Sequence, residues 1–206
     1  MKQYLVICAP VTSRSGYGSH CRDLFHSFYD LNKFEIKVID VRWGDCPRDA
    51  LNKNNENDRK IINSILKSNT LDRQPDIYVD IRIPNEFQTI GKFNIGITAG
   101  VETDAVSQVW LDGCNKMDLV IVPSEHSKYG FVNSTYDKIH QLPDGQQQKI
   151  GELKLEKPIE VLFEGVDSSI FKVTKDIPNE LNETLNSIKE DFCFLQKVVL
   201  VRIEKI

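Results

Sequence analysis

Four stretches of the 206-residue chain carry residue types used in ligand recognition and proton transfer. The first is SRSGYGSH, Ser13 to His20, with Ser15, Gly16, Tyr17 and Gly18 at its centre. Glycine lets backbone amides approach an anion, and a helix starting there adds a favourable dipole. The stretch serves either a diphosphate or sugar passing over Gly16 and Gly18, or a turn that needs positive φ. The second is GVETD, Gly100 to Asp104. Carboxylates at a strand's carboxyl end can accept hydrogen bonds from sugar hydroxyls, and one becomes a base if its surroundings raise its pKa. Glu102 is the candidate for that contact, while Thr103 or Asp104 is expected to cap the helix that follows. The third is VPSEHSKYGF, with Ser124, Glu125, His126 and Lys128 following a strand. No acid stands in relay with Ser124 and His126, and the Gly-x-Ser-x-Gly elbow is missing, which argues against a serine hydrolase. The fourth is EGVDSSIF, Glu164 to Phe171, in which Gly165 after a strand suggests a tight turn.

Other chemistries find less support. In a dinucleotide fingerprint starting at Gly16, Cys21 stands where the third glycine belongs. Asp40 does lie near the end of the second strand, where a ribose-binding acid can fall. A nucleotide-cofactor oxidoreductase is therefore an alternative of lower rank. The histidines are scattered and no cysteine pair has metal-finger spacing, so no metal and no cofactor is expected. A net charge of -4 and a pI near 5.6 give no basic field, and no nucleic-acid partner is expected. The five cysteines read as buried free thiols of a reduced, cytoplasmic protein. YLVICAPV reads as a first strand rather than a signal sequence, and no apolar run approaches the length of a membrane span.

These stretches need a frame, and the hydrophobic pattern supplies one. Tyr4–Cys8, Phe34–Val41, PDIYVDI, KFNIGITA, DLVIVPS and Ile159–Phe163 read as short buried strands. Between them, Cys21, Leu24, Phe25, Phe28 and Leu31 recur at helical spacing from Gly18 onward. Ile61, Ile62, Ile65 and Leu66 suggest a second helix. Val106, Val109, Trp110 and Cys114 suggest a third, beginning directly at the GVETD corner. Ser124 caps a fourth, with Glu125 in its first turn. The segment 44–57 reads as an irregular excursion, and the glutamine-rich stretch after residue 141 as an exposed hairpin or loop. The expected fold is α/β: a Rossmann-like, mostly parallel sheet with helices on both faces. Past Phe171, Leu181, Leu185 and Ile188 allow one amphipathic helix, and FCFLQKVVLVRIEKI allows one strand or two.

In this order, SGYG, GVETD, CNKMDLVIVPSEHSK and PIEVLFEGVDSSIF resemble the N-terminal half of GT-B glycosyltransferases, specifically the retaining glycosyltransferase-4 type. The resemblance spans about residues 4–171. It implies two Rossmann-like domains facing across a cleft, and sugar transfer from a nucleotide-sugar donor to a hydroxyl acceptor without a catalytic metal. It implies that Ser15, Gly16, Tyr17 and Gly18 face the donor diphosphate. Glu102, Thr103, Asp104, Ser124, Glu125, His126 and Lys128 would lie on the acceptor side. Glu164, Gly165 and Asp167 would form the passage toward the second domain. No catalytic residue is assigned.

After Leu195 the chain departs from the family's pattern. FCFLQ resembles the opening strand of the donor-binding domain, but KVVLVRIEKI follows where a glycine turn and a KG-type segment are expected. The expectation is an acceptor-side domain over 1–171, then a linker helix and an aborted second domain over 172–206. Such a chain has negligible transferase activity alone, unless a partner domain acts in trans. The main alternative is a non-catalytic glycan- or protein-binding module.

Overall fold

The computed structural model describes residues 2–68, 70–141, 145–169, 171–173 and 178–187. The chain divides into two units, Met1–Glu164 and Gly165–Ile206.

The first unit is built on six parallel strands: β1 (Gln3–Ala9), β2 (Phe34–Asp40), β3 (Ile77–Ile81), β4 (Phe93–Ile97), β5 (Leu119–Val122) and, later in the chain, β8 (Ile159–Val161). Their order is β2-β1-β3-β4-β5-β8. Each pair is parallel, with Val6 opposite Lys37 and Tyr78, and Gly96 opposite Val120. This is a doubly wound order that reverses direction between β1 and β3, and ligands of such sheets sit beyond the carboxyl ends near that reversal.

Alternation along the strands feeds two cores. Leu5, Ile7 and Ala9 face one side with Val38, Val79, Ile81 and Ile97. Helix α1 (Gly16–Asp30) seals this side with Cys21 and Phe25, and α2 (Glu56–Ser64) adds Ile61. On the other side, Val120 and Val122 pack with Leu111 and Cys114 of α3 (Gln108–Cys114) and Phe131 of α4 (Glu125–Asn133). Tyr4, Val6, Cys8 and Tyr78 extend that side under Leu66, Leu71 and Ile90. Each fully buried large aliphatic or aromatic side chain contributes about 1.5–3 kcal/mol relative to exposure. The expected parallel sheet with helices on both faces is therefore present, as a generic Rossmann-like α/β fold.

Several boundaries differ from the sequence reading, each for a local reason. α1 begins at Gly16, so both glycines lie inside its first turn and Ser15 is the N-cap. α2 stops at Ser64 because Ile65 turns extended and bridges Val38 beside β2. α3 does not begin at the GVETD corner. Its N-cap is Ser107, and Thr103 instead donates to the Ala105 carbonyl at 2.9 Å. Ser124 does cap α4, accepting from the Ser127 amide at 3.1 Å. The glutamine-rich stretch belongs to an antiparallel hairpin, β6 (Tyr136–Gln141) with β7 (Gln147–Leu153), anchored in the core by Leu153 and Tyr136.

In the second unit, Asp167 organises a turn by accepting from the Ser169 amide and hydroxyl at 2.9 and 2.6 Å. Helix α5 (Asn179–Asn186) carries Leu181 on an exposed surface. Ile188 and FCFLQKVVLVRIEKI lie outside the described residues. Among the described residues, no helix is long and apolar enough to cross a membrane.

Candidate functional site

The carboxyl ends of β3, β4 and β5 and the start of α1 surround a cavity of about 260 Å³. Its floor is apolar: Ile81 ends β3, Ile97 ends β4, and Pro123 follows β5. Gly16, Tyr17 and His20 of α1 form one wall, Thr98 and Ala99 another, and Glu164 closes the set beyond β8.

Local chemistry explains how the α1 wall is held. The Ser15 hydroxyl accepts from the Gly18 amide at 3.0 Å and lies 2.6 Å from the Ser13 hydroxyl, which donates to the Pro10 carbonyl at 2.9 Å. Gly18 is glycine because the Ser13 carbonyl occupies the place a Cβ would take. Gly16 is different: a Cβ there meets nothing within 4 Å. Neither has positive φ, so the turn explanation for these two glycines fails. The positive-φ position near the site is Gly100, at φ +81° with Ser127 Oγ 2.8 Å from where its Cβ would stand. There the absence of a side chain lets the Ser127 hydroxyl donate to the Ala99 carbonyl at 2.9 Å.

Tyr17 joins the two walls. Its hydroxyl accepts from the Ala99 amide at 3.0 Å and lies 3.1 Å from the Thr98 hydroxyl. Burial pushes the phenol's pKa up. Its ring stacks on Trp43, with centroids 4.2 Å apart. Trp43 stands between β2 and the polar excursion 44–57, which docks back onto the loop before α1. The Arg14 amide donates to the Pro47 carbonyl at 2.9 Å, and the Ala50 amide to the Thr12 carbonyl at 3.1 Å.

Among the described residues, only His20 and Glu164 carry ionisable chemistry in the lining besides Tyr17. His20 Nδ1 lies 3.4 Å from Glu164 Oε1, with the imidazole 21% exposed and the carboxylate 56%. Among the described residues, no lysine or arginine is in the lining. The nearby arginines are engaged elsewhere: Arg14 with Asp49 at 2.7 Å, Arg48 with Asp40 at 2.6 Å, and Arg22 with the carbonyls of Val11 and Ser13 at 2.9 and 3.0 Å.

The structure thus brings Gly16, Tyr17 and Glu164 together in the lining of one cavity, with Ser15 as the N-cap and Gly18 in the first turn of the same helix. Glu102, Thr103 and Asp104 stand exposed on the loop after Gly100 and do not line it. Of the α4 group, Ser124 caps, His126 Nε2 lies 3.1 Å from the Glu102 carbonyl, and Lys128 pairs with Glu160 at 3.7 Å. Glu125 is exposed in the first turn of α4, and Gly165 and Asp167 fall in the second unit. Asp40 is consumed internally: besides Arg48, it accepts from the Thr12 hydroxyl at 2.8 Å and the Thr12 amide at 3.2 Å. These three donors take most of the carboxylate's acceptor capacity, leaving little of it for a ribose.

Sequence reasoning passed over His20, Thr98 and Trp43. For His20 a signal existed, since it lies one helical turn after Gly16 and so on the same face. No sequence signal joins it to Glu164 or Tyr17 to Thr98. Elsewhere, Asp80 is fully buried and held by a two-pronged contact with Arg82, both distances 2.7 Å. The acids flanking β3 are structural, and no group of metal-ligating side chains occurs among the described residues. No family model, curated protein or solved structure matches the chain.

Proposed function

We propose that this chain is the acceptor-side domain of a retaining GT-B-type glycosyltransferase, and that its cavity holds the hydroxyl-bearing molecule to which a sugar is transferred from a nucleotide-sugar. One observation carries the reading. Three of the four motifs that suggested it contribute to a single cavity: Gly16 and Tyr17 come from SGYG, Pro123 from CNKMDLVIVPSEHSK and Glu164 from PIEVLFEGVDSSIF, while GVETD follows Ala99 but does not line it. They are scattered along the chain yet meet at the carboxyl end of a doubly wound sheet, the place such folds bind ligands. An apolar floor with few convergent polar groups suits the face of a sugar or polyol ring.

Transfer needs more than this cavity offers. Departure of a nucleoside diphosphate calls for positive charge where negative charge develops. The described lining supplies no lysine or arginine. The donor-stabilising groups must therefore come from outside the described cavity, and a partner domain acting in trans is one source. The binding-module alternative shares the cavity but not the transfer step, and the occupied Asp40 disfavours the oxidoreductase alternative.

The test pairs two assays on the 206-residue protein. Neutral mono- and disaccharides should shift the amide resonances of Gly16, Tyr17 and Ala99, and radiolabelled nucleotide-sugars should give no transfer product. Saturable binding of NAD with no response to any glycan would overturn the reading.

A further inference from the structure

We infer that the α1 wall of the cavity is a reader of neutral hydroxyl groups and not an anion cradle, with His20 Nε2 as the acceptor for a ligand hydroxyl and Glu164 as the residue that positions it. The inference rests on the proposed sugar-acceptor reading and refines it. The resemblance alone implies the opposite for this wall, a diphosphate over Ser15 to Gly18.

Three observations argue against the diphosphate. The Gly18 amide, one of the four that a helix start offers an anion, is already taken by Ser15 Oγ at 3.0 Å. Glu164 places a carboxylate in the same lining, where a second anion is repelled. The arginines closest in sequence, Arg14 and Arg22, are bound to Asp49 and to the carbonyls of Val11 and Ser13.

The same arrangement favours a hydroxyl. The Glu164 carboxylate stands 3.4 Å from His20 Nδ1, an ion-pair distance rather than a formed hydrogen bond, and its negative charge favours the tautomer with its proton on that nitrogen. Nε2 then keeps its lone pair. It has no partner among the described residues, and His20 lines the cavity. A ligand hydroxyl donating to Nε2 would sit over the apolar floor of Ile81, Ile97 and Pro123. Gly16, whose missing Cβ leaves open space, gives the ring room to approach. The ligand class is a compact polyol or pyranoside without phosphate.

The experiment uses the whole chain, isotope-labelled, with three probes: methyl α-D-glucopyranoside, myo-inositol and inorganic pyrophosphate. Long-range proton–nitrogen correlations should show the Nδ1-protonated tautomer of His20 in the free protein. At least one neutral probe should shift the His20 ring and the Ala99 amide saturably, and pyrophosphate should leave Gly16 and Tyr17 unmoved. Glu164→Gln keeps the shape and should weaken neutral-probe binding several-fold while shifting the tautomer balance. His20→Ala should abolish the response, and His20→Gln, which retains an acceptor, should restore part of it. An unchanged fingerprint spectrum away from the cavity shows that each variant is folded. Saturable binding of pyrophosphate at Gly16 and Tyr17 overturns the inference. Neutral-probe binding undiminished in both His20→Ala and Glu164→Gln also overturns it, but leaves the acceptor-side reading standing. No response to any neutral probe sinks both.

Discussion

Tyr17 does two jobs with one side chain, and its hydroxyl is the more consequential. Tyr17→Phe leaves the stack on Trp43 but strands the Ala99 amide and the buried Thr98 hydroxyl. Losing a partner of this kind costs about 1–3 kcal/mol. Urea denaturation should show the loss, and any ligand seated against Ala99 should bind more weakly. The two glycines of α1 should respond in opposite ways. Gly16→Ala meets open space and removes a flexible residue from a helix, so stability should hold or rise by up to about 1 kcal/mol. Gly18→Ala drives a methyl into the Ser13 carbonyl and should destabilise by about 1–3 kcal/mol. Equal effects from both would contradict the packing described here. The thiols set a pH limit. Burial pushes Cys8 up to about 11 and Cys114 up to about 12, and pushes Cys21 up as well. Unfolding frees them to ionise near their ordinary value, so above about pH 8.5 the unfolded state binds fewer protons. Stability is whole below that pH and declines as pH rises toward the folded values, by about 1.4 kcal/mol per pH unit for each thiol. Denaturation curves under reducing conditions between about pH 7.5 and 10 measure it, and a flat profile refutes it.

Among the elements, α1 and α4 are held by serine caps, and α3 is not. Ser15 and Ser124 each accept from an amide of the first turn, whereas Ser107 makes no side-chain cap bond. Ser124→Ala should therefore cost about 1 kcal/mol, and Ser107→Ala almost nothing. The short α3 is held by packing instead. Gly113 sits so close to the Pro84 carbonyl that any Cβ overlaps backbone, so Gly113→Ala should be among the most damaging single substitutions in the chain. A thermal melt of the purified variant, or its failure to fold, reads this directly. The GVETD corner failed as a helix start because Gly100 turns at positive φ and the chain runs on irregularly to Ser107. An acid beside an apolar run has the composition of a cap, but whether its carboxylate can reach an amide depends on the path of the backbone.

On the scale of the whole molecule, the six-stranded sheet and its cavity belong entirely to the unit Met1–Glu164. A protein ending after Glu164 should keep cooperative unfolding and the slow hydrogen exchange of β1 and β3, whose side chains are buried on both faces. Loss of the cooperative transition would show that the later segment is needed for the fold. The proposed division of labour makes the same point functionally: binding resides here, while the charge that assists a departing diphosphate must be brought to it.

The pattern of short apolar runs and helical spacings was enough to specify a parallel α/β sheet with helices on both faces. Burial on both sides of each strand and on one side of each helix writes itself into residue order. Ser124 as a cap was legible for a related reason, since a cap acts within three residues. The cavity was legible only in pieces. Gly16, Tyr17 and Glu164 were singled out, yet nothing local tied Glu164 to His20, or Tyr17 to Thr98 and Trp43. Those pairings arise because strands distant in sequence end side by side, and the sheet order decides which ends become neighbours. The same rule left Glu102 and Asp104 outside the cavity and turned Asp40 inward to Thr12 and Arg48. Sequence alone determined which segments are buried and how they alternate. Tertiary structure decided which polar groups meet, because a hydrogen bond or ion pair depends on distances of a few ångströms that no spacing along the chain encodes.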